Sequence, residues 1–381
     1  MTADEHTPLL ADGMQPSAVA ETDVDVSVVP KSNTNAGSIL VTRLRSRPRG
    51  QPPQNIGHRG YKAAFPENTM ASFRGALAAG ADAIETDVHL SKDGVVVLSH
   101  DPTLKRCFGV DRRIADCYWE YLATLRTLRE PHEPMPRLVE LLGWLAEEGR
   151  EGVWLLLDIK PDDDPTAIIP AIAEAIDSVP PAKGHPWSER VVLGGWNETW
   201  LRLLAEHLPG YPLAFISFSL LHAQRFLKPD FPYPVHFNLF QPALLGPVGC
   251  RFRRSAVRAG RLVFAWTVNE PLWMDWCACQ PENAAISGVV TDEVTKLGEV
   301  LKGPKCGAGG DDDGNECDDE AEQVVVRKMR EEYGLGQKIR LYAKAVLLQT
   351  AAAVLSVVLW RWLNKRGTRK MKGQRGEVKI T

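Results

Sequence analysis

Between Asn55 and Asp101 the chain sets His58 and His100, with Glu85 and Asp87, at spacings that suit acid–base and metal chemistry, in the run NIGHRGYKAAFPENTMASFRGALAAGADAIETDVHLSKDGVVVLSHD. Successive side chains of a strand alternate faces, so within Ala83 to Leu90 the residues Glu85, Asp87 and His89 share one face, and Ile84, Thr86 and Val88 the other. His58 closes the short strand signal Asn55 to His58, and His100 closes Val95 to His100. A third acid, Asp158, lies in Val153 to Lys160, where the same period puts Trp154, Leu156, Asp158 and Lys160 on one face. Buried charges at strand ends are costly unless a metal or ligand compensates them. Three carboxylates without a thiol favour a hard divalent cation, Mg2+ or Ca2+, over zinc. Two imidazoles beside them can take and give a proton, and Arg59 and Lys160 add fixed positive charge for a phosphate. The alternative, a salt-bridged strand pair, is less consistent with charges collected at strand ends, which in parallel barrels form the catalytic face.

The elements that must position these groups alternate strand and helix from residue 55 to about 300, the pattern of a parallel sheet covered by helices. Helix signals include Glu67 to Ala79, with Asn68 or Thr69 as the cap and Gly80 at the end, and Leu138 to Glu148. After the three strand signals above come Val153 to Lys160, Arg190 to Trp196, Leu213 to Phe218, Val235 to Leu239, Leu262 to Val268 and Ser287 to Thr291. Eight strands make a (β/α)8 TIM barrel, a fold of about 250 residues, so one of these nine is surplus. Val235 to Leu239 is expected to be the odd one, because Pro229, Pro232, Pro234 and Pro242 crowd it.

The motifs HRG, PENTxxSF, ETDVHLSKDGVVVLSHD, LDIK, WTVN and GVVTD resemble, in order and approximate spacing, those of the glycerophosphodiester phosphodiesterase family. The resemblance covers about residues 55 to 300 and is nearest to the membrane-bound phosphatidylglycerol phospholipase C branch. It implies a (β/α)8 barrel with Glu85, Asp87 and Asp158 on a divalent metal, His58 and His100 as general acid and base, and Arg59 and Lys160 on phosphate. Trp266 and Asn269, from WTVN, would shape the pocket. Many family members carry Glu where this chain has Asp158. The mechanism it implies needs no enzymic nucleophile: the substrate's own glycerol hydroxyl attacks phosphorus, and water opens the resulting cyclic phosphate. A phosphatidylglycerol substrate would yield diacylglycerol and glycerol phosphate. The rival readings are a phosphodiesterase of soluble deacylated phospholipids and, in another class, a non-catalytic lipid-binding membrane protein.

Around the barrel the composition changes. Residues 1–54 are polar, rich in Pro, Ser, Thr and acid, and read as a disordered arm. Residues 302–323 are glycine and acid with almost nothing apolar, a solvated linker whose aspartates miss the glycine placement of a calcium loop. Residues 324–381 hold a basic juxtamembrane segment, an apolar anchor at about 341–363 and a basic tail. The sixteen uncharged residues from Ala345 to Trp360 rise about 24 Å as a helix, a little short of a roughly 30 Å hydrocarbon core. Basic flanks on both sides satisfy the positive-inside rule for a monotopic or re-entrant segment and violate it on one side for a spanning helix, and both flanks could hold anionic lipid headgroups. The expected partners are therefore a phospholipid substrate and a membrane, with no nucleic acid and no obligate protein partner. The net charge of -3 gives no global attraction to nucleic acid. No apolar run follows Met1, so the catalytic domain is expected to face cytosol, at the endoplasmic reticulum, lipid-droplet or mitochondrial surface. A Glu5 to Leu10 dileucine pattern makes the vacuolar membrane a further expectation. The seven cysteines form no CxxC pair and are expected to be free thiols.

Overall fold

The computed structural model describes residues 51–228 and 231–303, together with the single positions Ala343 and Leu347. The apolar runs of the sequence become nine strands: β1 (Gln54–His58), β2 (Ala83–Leu90), β3 (Val96–Leu98), β4 (Trp154–Ile159), β5 (Val191–Gly195), β6 (Leu213–Ser217), β7 (Val235–Phe240), β8 (Val263–Trp266) and β9 (Gly288–Thr291). All except β3 are parallel to their neighbours, and β1 pairs with both β2 and β9, which closes an eight-stranded barrel. Helices follow the strands and cover the outside, among them α1 (Met70–Ala78), α2 (Leu138–Ala146) and α3 (Pro165–Asp177). The expected (β/α)8 architecture is present.

Two strands exchange the roles read from sequence. Val235–Phe240, set aside for its prolines, is the barrel strand between β6 and β8. Pro232 and Pro234 precede it and Pro242 follows it, so every residue inside the strand keeps the N–H that its neighbour needs. The surplus strand is β3, which lies antiparallel on β2 outside the closed ring. Its connection forbids anything else: Lys92-Asp93-Gly94 is a hairpin turn, whereas a parallel neighbour needs a crossover of a dozen or more residues. Ser91 tightens that turn, its hydroxyl accepting from the Val95 N–H at 2.8 Å.

The barrel interior is apolar in its lower layers, where Ile56, Ala83, Trp154, Leu156, Val192, Ala214, Leu262, Phe264 and Val290 pack together. A larger apolar layer lies between the sheet and the helices. Because side chains alternate, the residues one layer above Ile56, Ala83 and Leu156 are His58, Glu85 and Asp158, and these lie at the carboxyl ends of the strands. Gly60 completes HRG for a steric reason: it has φ +80°, and a Cβ there would collide with Ser72 on α1. The helix begins later than its sequence signal, at Met70, with Thr69 as the cap accepting from the Ser72 N–H at 3.2 Å.

The thiol reading is corrected at two positions, since Cys250 and Cys279 are disulfide-bonded. Cys279 precedes Gln280, and Cys250 lies one helical turn before Arg253, the two partners of a side-chain hydrogen bond. Cys107, Cys117 and Cys277 are free. Among the described residues no helix is long and apolar enough to cross a membrane. The expected arm before residue 51, the linker beyond Gly303 and the anchor at about 341–363, apart from the helical positions Ala343 and Leu347, lie outside the described residues.

Candidate active site

Strand register brings the three acids together. Asp87 of β2 stands opposite Asp158 of β4, and Glu85 of β2 stands opposite His58 of β1. One oxygen from each of Glu85, Asp87 and Asp158 lies within 4.8 Å of the other two, and all three residues are buried. Such an all-oxygen set, with no thiol and no imidazole among it, fits a hard divalent cation. Glu85 is pushed well above the usual carboxylate range, first by burial and then by the charges of Asp87 and Asp158. Burial works the same way on Asp87, but Lys160 and Arg59 outweigh it and hold that carboxyl far below its ordinary value.

The two cations expected at phosphate are both tied to these acids. The Lys160 ammonium sits 2.6 Å from Asp87 Oδ1 and 2.6 Å from Asp158 Oδ2. Burial opposes its charge, yet Asp158 and Asp87 raise its pKa above that of a free lysine. Arg59 Nη1 donates to Glu67 Oε1 at 2.8 Å, and its Nε lies 3.3 Å from Asp87 Oδ2. The backbone of Arg59 has φ 57°, a left-handed conformation that turns its N–H onto Glu85 Oε2 at 2.8 Å. Asn68, also left-handed at φ 54°, donates from Nδ2 to Asp87 Oδ2 at 2.9 Å and accepts from the Thr86 hydroxyl at 2.8 Å. Two non-glycine residues in this conformation at one site mark backbone strain held in place by the surrounding hydrogen bonds.

Each histidine has a carboxylate behind it. His58 Nδ1 lies 2.6 Å from Asp292 Oδ1, and His100 Nδ1 lies 2.7 Å from Asp101 Oδ1. With the carboxylate accepting at Nδ1, the Nε2 of each ring is left to exchange a proton with a substrate. His58 Nε2 points towards Glu85, 4.0 Å away. Burial lowers the pKa of both imidazoles, in His58 against the opposing pull of Asp292, so each is biased to the neutral form that can accept a proton. Asp292 is fixed in turn by Asn269, whose Nδ2 donates to Oδ2 at 2.8 Å and whose Oδ1 accepts the Asp292 N–H at 2.9 Å. Asn269, expected to shape the pocket, thus orients the partner of His58. Arg106 joins the other side, donating to Glu67 at 2.7 and 2.8 Å and to Asp101 at 2.6 Å. Glu67, Asp101 and Asp292 are each held down to about 2, their hydrogen bonds to cations and imidazoles overcoming burial.

His100 reaches the site by an unexpected route. β2 runs on past the barrel rim, and β3 folds back along it, so that the Ser99 N–H bonds the Asp87 carbonyl at 3.0 Å and His100 comes next. His89, on the face shared with Glu85 and Asp87, lies buried behind this return. Its ring bridges Asp163 Oδ2 at 2.7 Å and the His100 carbonyl at 3.2 Å.

The other half of the mouth is aromatic. Trp196, Phe218, Phe240 and Trp266 stand at or just past the ends of β5, β6, β7 and β8, half-buried, with neighbouring ring centroids 4.9 to 6.1 Å apart. The wall meets the charged half at Trp196, whose Nε1–H donates to Asp158 Oδ1 at 2.7 Å and whose ring lies 5.7 Å from the Lys160 ammonium. Trp266 is held by its Nε1–H on the Asn238 carbonyl at 2.9 Å.

All nine residues singled out from sequence are therefore at or beside one strand-end site. Sequence reading passed over Glu67, Asn68, Asp101, Arg106, Trp196 and Asp292 as site residues. Glu67, Asn68, Asp101 and Asp292 lie inside motifs already quoted, PENT, SHD and GVVTD, and Asp292 directly follows a strand end as His58 does. Arg106 and Trp196 carried no such signal.

The family described as the glycerophosphoryl diester phosphodiesterase family matches residues 58–296. A glycerophosphodiester phosphodiesterase of Caldanaerobacter subterraneus is 28% identical over 256 residues, 65% of this chain and 97% of that protein. The crystal structure of a glycerophosphodiester phosphodiesterase from Thermotoga maritima is similar with a TM-score of 0.52 at 27% identity, covering 65% of this chain and 98% of that one. A phosphodiesterase of Oleispira antarctica, solved with the product sn-glycerol-3-phosphate, shares the fold with a TM-score of 0.55 at 23% identity over 66% of this chain and 98% of its own.

Proposed function

The chain belongs to the glycerophosphoryl diester phosphodiesterase family and is a phosphoric diester hydrolase, and from that premise we propose that its substrate is a glycerophospholipid, phosphatidylglycerol in the first place. The observation that carries this reading is the aromatic wall. It begins on an acid of the candidate metal site, through Trp196 and Asp158, and continues over Phe218, Phe240 and Trp266. A diester bound at the acids would lay one substituent along four half-buried rings, a surface that favours an apolar body over a polyhydroxylated alcohol such as inositol.

In this reading Glu85, Asp87 and Asp158 hold a divalent cation, Mg2+ or Ca2+, which when bound neutralises charge on the phosphoryl oxygens. Arg59 and Lys160, both on Asp87, add positive charge in the same layer. One imidazole, His58 or His100, takes the proton of the headgroup hydroxyl adjacent to the phosphate through Nε2. The freed oxygen attacks phosphorus, and the other imidazole gives a proton to the departing diacylglycerol oxygen. The product is a cyclic glycerol phosphate. Water then attacks phosphorus as the two histidines reverse roles, and the ring opens to glycerol phosphate. Asp292 and Asp101 keep both rings in the tautomer the exchange needs.

The anchor segment at about 341–363 would keep the enzyme at a membrane with its barrel on the cytosolic side, raising the effective concentration of a lipid substrate. The test is a substrate panel with purified protein and Mg2+ or Ca2+. Release of diacylglycerol from phosphatidylglycerol vesicles is expected, and chelation by EDTA should stop it. Hydrolysis of glycerophosphocholine or glycerophosphoinositol with no diacylglycerol from the vesicles would instead assign a phosphodiesterase of deacylated phospholipids.

A further inference from the structure

We infer that the rim of the barrel mouth beyond the aromatic wall is itself a docking surface for an anionic phospholipid bilayer. The inference rests on the lipid-substrate reading above and adds the route by which lipid reaches the site. Most exposed large apolar side chains among the described residues belong to segments that lead away from strand ends, Leu221 and Val248 in the first turn of the helix that follows. Leu221 is 74% exposed and follows β6, Val248 is 66% exposed and follows β7, and Leu128 is 61% exposed in the segment between β3 and α2. That segment is held to the loop after β1, because Arg129 donates to the Lys62, Ala63 and Phe65 carbonyls at 2.5 to 2.7 Å.

Leu221 follows Phe218 by three residues and Val248 follows Phe240 by eight, so both exposed side chains belong to the segments that leave the strand ends carrying the wall. A soluble diester has no use for exposed apolar side chains there. A lipid drawn partly out of a leaflet does, since its chains would otherwise cross water.

Charge selects the occupant. From Phe218 to Arg261 the chain carries one acid, Asp230, and seven Lys and Arg residues, of which Arg253 is buried on Gln280 and the Ala284 carbonyl and Arg225 is paired with Glu198. Lys228 and Arg251 are exposed within this stretch, and Arg251 is one helical turn beyond Val248. Apolar residues interleaved with exposed cations match an anionic headgroup layer over an acyl core. A protein partner would need no such excess of one sign.

Two measurements on the full-length protein test this. Amide hydrogen exchange over residues 220–227 and 246–251 should slow with phosphatidylglycerol vesicles and not with phosphatidylcholine vesicles. The pair Leu221→Asp and Val248→Asp should lower the initial rate on phosphatidylglycerol vesicles by about tenfold and leave glycerophosphoglycerol turnover unchanged. Lys228→Glu with Arg251→Glu should act in the same direction and abolish the salt dependence of the vesicle rate. The inference is overturned by equal protection on both vesicles, by protection that grows with protein concentration without lipid, or by variants that slow both substrates equally or neither. Exchange reads docking without turnover. Protection without diacylglycerol release would sink the substrate assignment alone, and release without protection would sink the docking surface alone.

Discussion

The two halves of the barrel mouth differ in how their side chains are held. On the side of β1, β2, β4 and β9, nearly every site residue has a charged partner: Arg59 with Glu67 and Asp87, Lys160 with Asp87 and Asp158, His58 with Asp292, His100 with Asp101. On the side of β5 to β8 the rings lean on one another, and only the indole N–H groups of Trp196 and Trp266 are tied to polar atoms. Proton exchange at phosphorus needs fixed orientation, which hydrogen-bonded ions supply. Recognition of an apolar body needs area and shape, which rings supply with few constraints. On the proposed reading, one half performs the reaction and the other chooses what is brought to it.

Substitutions should divide along this line. The largest effect is expected from His58→Ala, which removes a proton-exchanging group and should lower kcat by about 10² to 10⁴ on every substrate. Retention of turnover on any diester would break the comparison at its charged half. Asp292→Asn should come next, with kcat reduced about a hundredfold and KM little changed, since the ring is left in place without its orienting acceptor. Trp266→Ala should raise KM for phosphatidylglycerol by about tenfold while moving glycerophosphoglycerol far less, and an equal rise for both would deny the aromatic half its selective role.

The smallest effect concerns acid stability. Hydrogen bonds to cations and imidazoles, against burial, hold Glu67, Asp101 and Asp292 at about 2 in the folded chain, below their ordinary values of 4.5, 3.8 and 3.8. The unfolded chain therefore binds more protons between those values, so this stabilisation is complete above about pH 4.5 and is lost as pH falls towards about 2. Thermal unfolding across that window should show a falling midpoint. Glu67→Gln, on the charged half, should flatten the curve, and Phe218→Ala, on the aromatic half, should shift it without changing its slope.

Much of the charged half was legible because its residues lie close together in sequence on alternating strands. Period two alone placed Glu85 with Asp87 and Asp158 with Lys160. Asp292 was not legible in the same way, being 234 residues from His58 and adjacent to it only because β9 closes on β1. The exchange of β3 and β7 has a different origin. The prolines crowd the neighbourhood of Val235–Phe240 and none lies inside it, and the three-residue turn before Val95 is short enough to force an antiparallel return. The aromatic half was nearly invisible, since Trp196, Phe218 and Phe240 come from separate strands with no shared motif, and only the barrel's curvature sets them side by side.

Because His100 arrives on a hairpin return, the stretch that follows it hangs from a flap instead of from the closed ring. Its length and composition can change between relatives without shifting the pairing of any of the eight staves. The barrel thereby has a place where a whole inserted segment can be exchanged as a unit, with His100 left at its root. Grafting residues 102–136 from a family member that keeps a cation at Arg106, which holds Glu67 and Asp101, should leave barrel pairing and turnover intact.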